Sequence, residues 1–498
     1  WTGISRVFGL IRDISTTSLL GASIFHDIFV ITLKIPNMFR RFFAEGAFNQ
    51  AFIPIYNDFK KNDNREDIFD FLNAIAGFLI TFLFFFTLFV LIFAPIFIFI
   101  FAPGFYFDPV KKDLSVNILR IMFPYLALIS LVAFAGGIQN SHDRFSIPAF
   151  TPVIFNVCLI FAAVIIAPNF EMPIYALAWG VLLAGFLQLL IQYFPLSTIN
   201  MLPRPVLNFE NKGLKKFLLL IMPAILAGGI IQINILIDTI FASLLETGSP
   251  TWLYVSDRLI QFPMGIFAIA IGTVLLPRLS KLDVGSQRQK FIDTLANSQS
   301  LVIFIGIPSL IGLVFCSEDL IAAIFLRGEF QPIDVFRSSN SLIAFSFGLP
   351  FFMLMKVLTP AFFARKDTKT PMYVAFLALL LNAILNYVLA FLFNFGHVGL
   401  AIGSSIAAFV SVLILEFILF KNGLVYLKNL NYRFFIAIIL SSTALIIFLK
   451  FYTAFTDFMI MSQAERFLYL GVEVIFSIII YFSIARLILG TSFIKQFN

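Results

Sequence analysis

The sequence predicts an all-α polytopic membrane protein of about 14 transmembrane helices, two parallel pseudo-symmetric six-helix lobes followed by two C-terminal helices. Three observations predict it. The chain of 498 residues is 60% hydrophobic and only 12% charged, about half the charge share of soluble domains. Apolar stretches long enough to cross a bilayer recur along the whole length, among them 71–94, 150–167, 301–316 and 472–489. Short motifs also recur at one fixed offset of 223 residues.

The expected helices, in order, cover 1–21, 24–57, 70–102, 114–140, 147–167, 173–197, 215–245, 251–279, 290–315, 337–364, 371–394, 397–420, 432–453 and 466–490. Even-numbered connections carry eighteen Lys and Arg, and odd-numbered ones six. By the positive-inside rule both termini are expected in the cytoplasm. In the repeat, Phe52-Ile53-Pro54 matches Leu275-Leu276-Pro277, and His142-Asp143-Arg144 with Pro148 matches Arg365-Lys366-Asp367 with Pro371. Gly104-Phe105 corresponds more loosely to Gly328 and Phe330. Six helices is an even number, so both copies start on the same side and the repeat is parallel. The expected division is an N-terminal lobe at 1–200, a second lobe at 213–428 and two additional helices at 432–490.

Composition excludes several functions. Cys158 and Cys316 both lie in apolar runs and read as small core residues, and His26, His142 and His397 show no metal-ligand spacing. A net charge of +7 would point to nucleic acid in a soluble protein. Here it reads as cytoplasmic loops facing anionic lipid, with no nucleic-acid partner. The 67 Phe residues read as lipid-facing filler.

The charges inside the first helices carry the functional signal. Thr2, Ser5, Gly9, Arg12 and Thr16 form one stripe on the first helix, with Arg6 and Asp13 beside it. The second helix places Asp27, Lys34, Asn37, Arg41 and Glu45 on one face, with Arg40 one position round. The eighth helix carries Asp257, Arg258, Gln261 and Pro263. A charge at mid-bilayer costs about 3 kcal/mol or more, so it faces a wet interior or a partner. The excess of cations suits an anion, and arginine's planar fork suits a diphosphate. The alternative is that Asp13 with Arg6, and Asp257 with an arginine, only join helices. Asp238, Asn382, Asn386 and Ser404 present oxygens that could surround a sodium ion, or could join helices by hydrogen bonds. Lys356, Glu416 and Glu473 are isolated charges in apolar helices without an assigned role.

Two segments carry a resemblance. Ser5-Arg6-Val7-Phe8-Gly9-Leu10-Ile11-Arg12-Asp13 is the first. The second runs from Lys34-Ile35-Pro36-Asn37-Met38-Phe39-Arg40-Arg41 to Phe42-Phe43-Ala44-Glu45-Gly46-Ala47-Phe48. Both resemble the lipid II flippase MurJ (MviN) family. Asp257-Arg258-Leu259, Gly272-Thr273-Val274-Leu275-Leu276-Pro277 and Asp367-Thr368-Lys369-Thr370-Pro371 are similar to further motifs of that family. The resemblance implies the fold of the multidrug/oligosaccharidyl-lipid/polysaccharide exporter superfamily, with two lobes around a cationic cavity and a groove for a lipid tail on the two extra helices. It implies that Arg6, Arg12, Arg40 and Arg258 are essential, with acidic partners at Asp27 and Asp257. A sodium site in the second lobe is implied through Asp238, with Asn386 standing where a second acid is expected.

The expected activity is flipping of lipid II, the undecaprenyl-diphosphate-linked disaccharide peptide, across the bacterial cytoplasmic membrane by alternating access. Arg6, Arg12 and Arg258 are expected to hold the diphosphate, with Arg40, Arg41, Asp13, Asp27, Glu45 and Asp257 as cavity or gating charges. No cofactor is expected beyond a possible sodium ion. Membrane lipids and the peptidoglycan synthesis machinery are the other expected partners. A drug or polysaccharide-lipid exporter of the same superfamily is the nearest rival. A membrane enzyme acting on polyprenyl diphosphates would need a carboxylate cluster for a divalent metal, and the sequence carries no Asp-rich run.

Overall fold

The structure, a computed structural model, describes residues 1–43, 46–61, 64–282, 287–424 and 432–490. Among the described residues every regular element is helical. Eleven helices or helix pairs are long and apolar enough to cross a membrane, from Arg65–Ile92 to Gln463–Leu489. The rest of the expected fourteen correspond to helices that carry charge or, at 212–243, to one with only a shorter apolar stretch, Gln232–Ser243. The chain packs as two compact units, Trp1–Pro250 with Gly328–Phe330, and Thr251–Arg327 with Gln331–Asn498.

The first unit begins with α1 (Thr2–Leu20), α2 (Ile24–Phe43), α3 (Gly46–Lys61) and α4 (Arg65–Ile92). It continues through α5 (Ala94–Phe101), α6 (Pro103–Tyr106), α7 (Pro109–Met122) and α8 (Tyr125–Ser141). It ends with α9 (Ser146–Phe161), α10 (Pro173–Thr198) and α11 (Lys212–Ser243). Caps fix the starts: Asn64 accepts from the Glu66 N–H at α4, Asp108 from Val110 and Lys111 at α7, and Asn211 from Gly213 and Leu214 at α11. The expected helix at 114–140 is broken between α7 and α8 at Pro124, which lacks an N–H for the ladder. The expected helix at 70–102 is likewise divided at Phe93, with Pro95 in the first turn of α5.

Two apolar clusters hold this unit together. Ile28, Ile31 and Ile35 of α2 pack with Ile118, Leu119 and Met122 of α7. Phe48, Phe52 and Tyr56 of α3 pack with Phe71 of α4, Phe134 of α8 and Phe217 of α11. Successive rings stack, with Phe48–Phe52 and Phe52–Tyr56 centroids 5.3 and 5.5 Å apart. The phenylalanines therefore divide: Phe84 and Phe85 face outward as expected of filler, whereas those of α3 are core. Packing also places α11 in the first unit, although the repeat begins the second copy there. Gly213 lies against Phe59 and Phe71, and Phe217 is fully buried against α3.

The second unit contains α12 (Ser249–Pro263), α13 (Ile269–Ser280), α14 (Arg288–Phe315), α15 (Ser317–Phe325) and α16 (Pro332–Ala364). It closes with α17 (Lys369–Tyr387), α18 (Gly396–Lys421), α19 (Tyr432–Phe455) and α20 (Gln463–Leu489). A π-helical turn at Met264–Ala268 joins α12 to α13 directly after Pro263. Gly272 lets α13 approach α16, since a Cβ there would sit 2.6 Å from the Lys356 carbonyl oxygen. Phe304 and Ile311 of α14 pack with Phe434 and Leu445 of α19 and Tyr481 of α20, so the two extra helices are integral to this unit.

The internal repeat reappears as backbone geometry. Asp143 and Lys366, 223 apart in the chain, both adopt left-handed conformations with φ of 58° and 61°. Arg144 N–H bonds to Gln139 O at 2.9 Å, and Asp367 N–H to Phe362 O at 3.0 Å. His142 and Arg365 repeat the same relation to Gln139 and Phe362. Two unlike side-chain sequences thus close their helices with one turn, which is a Schellman-type C-cap.

Candidate functional site

In the first unit, α1 and α9 build the cationic site. Arg12 is half-buried. Its Nη2 and Nε donate to Asp13 Oδ1 at 2.6 and 3.0 Å, and its Nη1 donates to Asn156 Oδ1 at 3.0 Å. Asn156, on α9, is held in turn because its Nδ2 donates to the Ser5 carbonyl oxygen at 3.1 Å. The guanidinium also lies 5.7 Å from the centre of the Phe155 ring. The arginine is therefore positioned by a neighbour on its own helix and by two residues of another. Arg6 and Arg41 are exposed, and Arg40 and Lys34 are half-buried. Helix-joining through an Arg6–Asp13 pair is not what the structure shows: the buried Asp13 takes the adjacent Arg12 instead. Glu45 lies outside the described residues.

Asp27 is 1% exposed and accepts a 2.6 Å hydrogen bond from the backbone N–H of Gly248. It holds α2 to the turn after α11, a structural duty the sequence did not disclose. Asp238, on α11, accepts from Asn234 Nδ2 at 3.3 Å and belongs to the first unit.

In the second unit, Arg258 is half-buried and stacks over Tyr254, its carbon Cζ 4.7 Å from the ring centre, while Nη2 donates to the Tyr254 hydroxyl at 3.2 Å. The pair is one helical turn apart, an i,i+4 spacing that could have announced it. Asp257 is exposed and accepts from Gln261 Nε2 at 2.5 Å. Ser404 donates to Asn382 Oδ1 at 3.4 Å. Asn386 is buried beside Gly403, where a Cβ would meet Asn386 Oδ1 at 2.4 Å. Of the oxygens considered for sodium, the structure brings together Asn382 and Ser404 on α17 and α18. Glu416 gains a structural role, as Gln299 of α14 donates to it.

Asn156 and Tyr254 are the site residues that sequence reasoning missed. A lone Asn in an apolar helix has no periodic partner to announce it, because Arg12 is 144 residues away. The chemical sense of the arrangement is nonetheless plain. Arg12 and Arg258 are each oriented by a hydrogen bond and an aromatic face, an arrangement that presents forked N–H donors of the kind that bind oxyanions.

Comparison with known proteins gives this arrangement its context. A sequence model of the family described as "Lipid II flippase MurJ" matches residues 16–468. A "Probable lipid II flippase MurJ" of Buchnera aphidicola subsp. Acyrthosiphon pisum is 40% identical over 448 residues, 90% of this chain and 87% of that protein. One of Vibrio cholerae serotype O1 is 38% identical over 435 residues, 86% of this chain and 82% of that protein. A solved structure titled "Lipid II flippase MurJ, inward closed conformation" superposes with a TM-score of 0.82 at 28% identity, covering 98% of this chain and 97% of that one. An inward-facing multidrug resistance MATE family transporter of the MOP superfamily shares the fold at a TM-score of 0.67 and 12% identity, covering 84% of this chain and 95% of that one. The arginine-bearing motifs of α1, α2 and α12 thus sit in a chain that matches its relatives over nearly all of its length, and it belongs to the lipid II flippase MurJ family.

Proposed function

We propose that this protein flips lipid II from the cytoplasmic to the periplasmic leaflet of the bacterial cytoplasmic membrane. It is a multi-pass transporter and not an enzyme. Membership of the flippase family over most of the chain is the observation that carries the reading. The physical task explains the architecture. A diphosphate–disaccharide–peptide headgroup cannot enter hydrocarbon unaided, because an unpaired buried charge is so costly. Arginines held inside apolar helices offset that cost while the polyprenyl tail stays in lipid.

The finer assignments are these. Arg6, Arg12, Arg40, Arg41 and Arg258 are assigned to the diphosphate. The orientation of Arg12 by Asp13 and Asn156, and of Arg258 by Tyr254, supports the assignment. The pair α19–α20 serves the lipid tail. Both termini are assigned to the cytoplasm, the orientation that the loop charges favour. Asp238, Asn382, Asn386 and Ser404 are assigned to a sodium ion, and the peptidoglycan synthesis machinery is the protein partner. A negative-inside potential favours outward movement of the anionic headgroup by about 2.3 kcal/mol per charge per 100 mV.

Reconstitution into vesicles carrying fluorescent lipid II tests the reading. Flipping that accelerates with an imposed potential is the expected result. Vesicles that leave lipid II unflipped but extrude a hydrophobic drug would sink it in favour of the exporter alternative. Asp238→Asn is expected to weaken any sodium dependence and to leave headgroup binding intact.

A further inference from the structure

The charged groups of α1, α2 and α12 do not account for a second set of ionisable side chains, gathered where α20 packs on α15. Glu473 lies within α20 and is 0% exposed. Both its carboxylate oxygens are buried and meet no nitrogen or oxygen donor among the described residues. The Cys316 thiol, at the start of α15, is its polar neighbour and only a weak donor. Asp319, on α15, faces Glu473, and its Oδ2 is likewise buried and without a partner.

Cations lie on the surrounding elements, Arg466 on α20, Arg327 just after α15 and the exposed Lys450 on α19, but none is among the groups that act on Asp319, and Arg466 donates to the Phe458, Leu326 and Met459 carbonyls. α15 and its cap contribute Glu318 and Cys316, the α19–α20 connection contributes Asp457, α19 contributes Tyr452 and α20 contributes Tyr469. Every one of these is an acid. α14 presents Phe304 and Ile311 to the same packing. On α16, Asp334, Arg337 and Lys356 are not among the groups that act on Asp319. Burial, and then the neighbouring Glu473, Glu318 and Asp457 carboxylates, push the Asp319 carboxyl up to about 7.

An ionised Glu473 in this place would carry an unpaired buried charge beside a second carboxylate. That is among the most costly arrangements a fold can hold, and the ordinary relief is retention of a proton. We infer that Glu473 and Asp319 form a proton-binding site that ties the docking of α20 on α15 to protonation. The pair binds and releases protons as a unit. This site is independent of the arginines and of the substrate assigned to them.

The sign of the linkage follows. A carboxyl raised in the folded state, as that of Asp319 is, binds more protons there than in the unfolded chain, so stability falls as pH rises from the ordinary carboxylate range through about 7. Thermal unfolding of the full-length protein in detergent, from about pH 5 to about pH 8.5, reads this directly. The expected result is a midpoint that falls across that interval in wild type. Glu473→Gln should match wild type at the acid end and show a flatter profile, and Asp319→Asn should flatten it as well. Infrared spectra should show a protonated-carboxyl band that Glu473→Gln removes, a readout that does not depend on the stability of the variant. Identical pH profiles in wild type, Glu473→Gln and Asp319→Asn, or the absence of that band, would overturn the inference. Recovery of the alkaline midpoint by sodium or potassium in wild type but not in Glu473→Gln would also overturn it, by making this a metal-cation site.

Discussion

Asp27 and Gly248 are joined by a 2.6 Å hydrogen bond across 221 residues of sequence. The carboxylate accepts from a buried backbone N–H whose residue has φ of 98°, a conformation that favours glycine. A bond to a carboxylate is charge-assisted, and this one satisfies the backbone of the turn after α11. Asp27→Ala leaves that N–H unpaired and should destabilise the protein by about 1–3 kcal/mol, with Asp27→Asn affected less. Unfolding midpoints of the purified variants check this, and an unchanged midpoint in Asp27→Ala would remove the structural role.

Arg12→Ala should abolish lipid II flipping in vesicles while the protein still inserts. Arg12→Lys should rescue poorly, because one ammonium cannot reproduce the fork that meets Asp13 and Asn156 together. Asn156→Ala should reduce flipping partially, since it removes one of two anchors. Arg6→Ala and Arg258→Ala should also be inactive. Wild-type rates in all three arginine-to-alanine variants would discard the diphosphate clamp.

Cysteines placed near Lys61, Asn211 and Lys369 should react with an impermeant maleimide only from the cytoplasm, and one near Lys111 only from outside. The native Cys158 and Cys316 are buried and give a low background. The opposite pattern would reverse the orientation and the direction of flipping.

Arg466 fastens the connection between α19 and α20 to the segment after α15. Its Nε donates to Phe458 O at 2.7 Å, Nη1 to Leu326 O at 2.8 Å and Nη2 to Met459 O at 3.0 Å. Arg466→Ala frees three carbonyls and should cost about 3 kcal/mol. Hydrogen exchange at 456–462 should rise several-fold, whereas unchanged protection there would show the clamp to be dispensable.

Asp367 accepts from the Thr370 hydroxyl at 2.7 Å and the Thr370 N–H at 3.0 Å. These bonds hold its carboxyl below the usual carboxylate range. A depressed folded value means a contribution that is present above the unfolded value and lost as pH falls through the folded one. Acid unfolding of Asp367→Asn should therefore be less pH-dependent than that of wild type below about pH 4. Superimposable acid profiles would show that the motif stabilises by other means.

Membrane character, helical class and duplication were legible in the amino-acid order because each depends on local quantities. Apolar length sets a span, and a shared offset of 223 residues marks a copy. The arginines were legible because charge in an apolar helix is conspicuous whatever surrounds it. Breaks at Phe93 and Pro124 were less so, since a proline bends one helix and ends another according to its neighbours. What only the tertiary structure decided is partnership. It paired Asp13 with Arg12 and not with Arg6, supplied Asn156 from α9, turned Asp27 toward a backbone N–H, packed α11 with the first unit and set Glu473 beside Asp319. Apart from the adjacent Arg12 and Asp13, these choices rest on contacts between residues far apart in the chain. Close packing and hydrogen-bond geometry select them in three dimensions, and no sequence period records them.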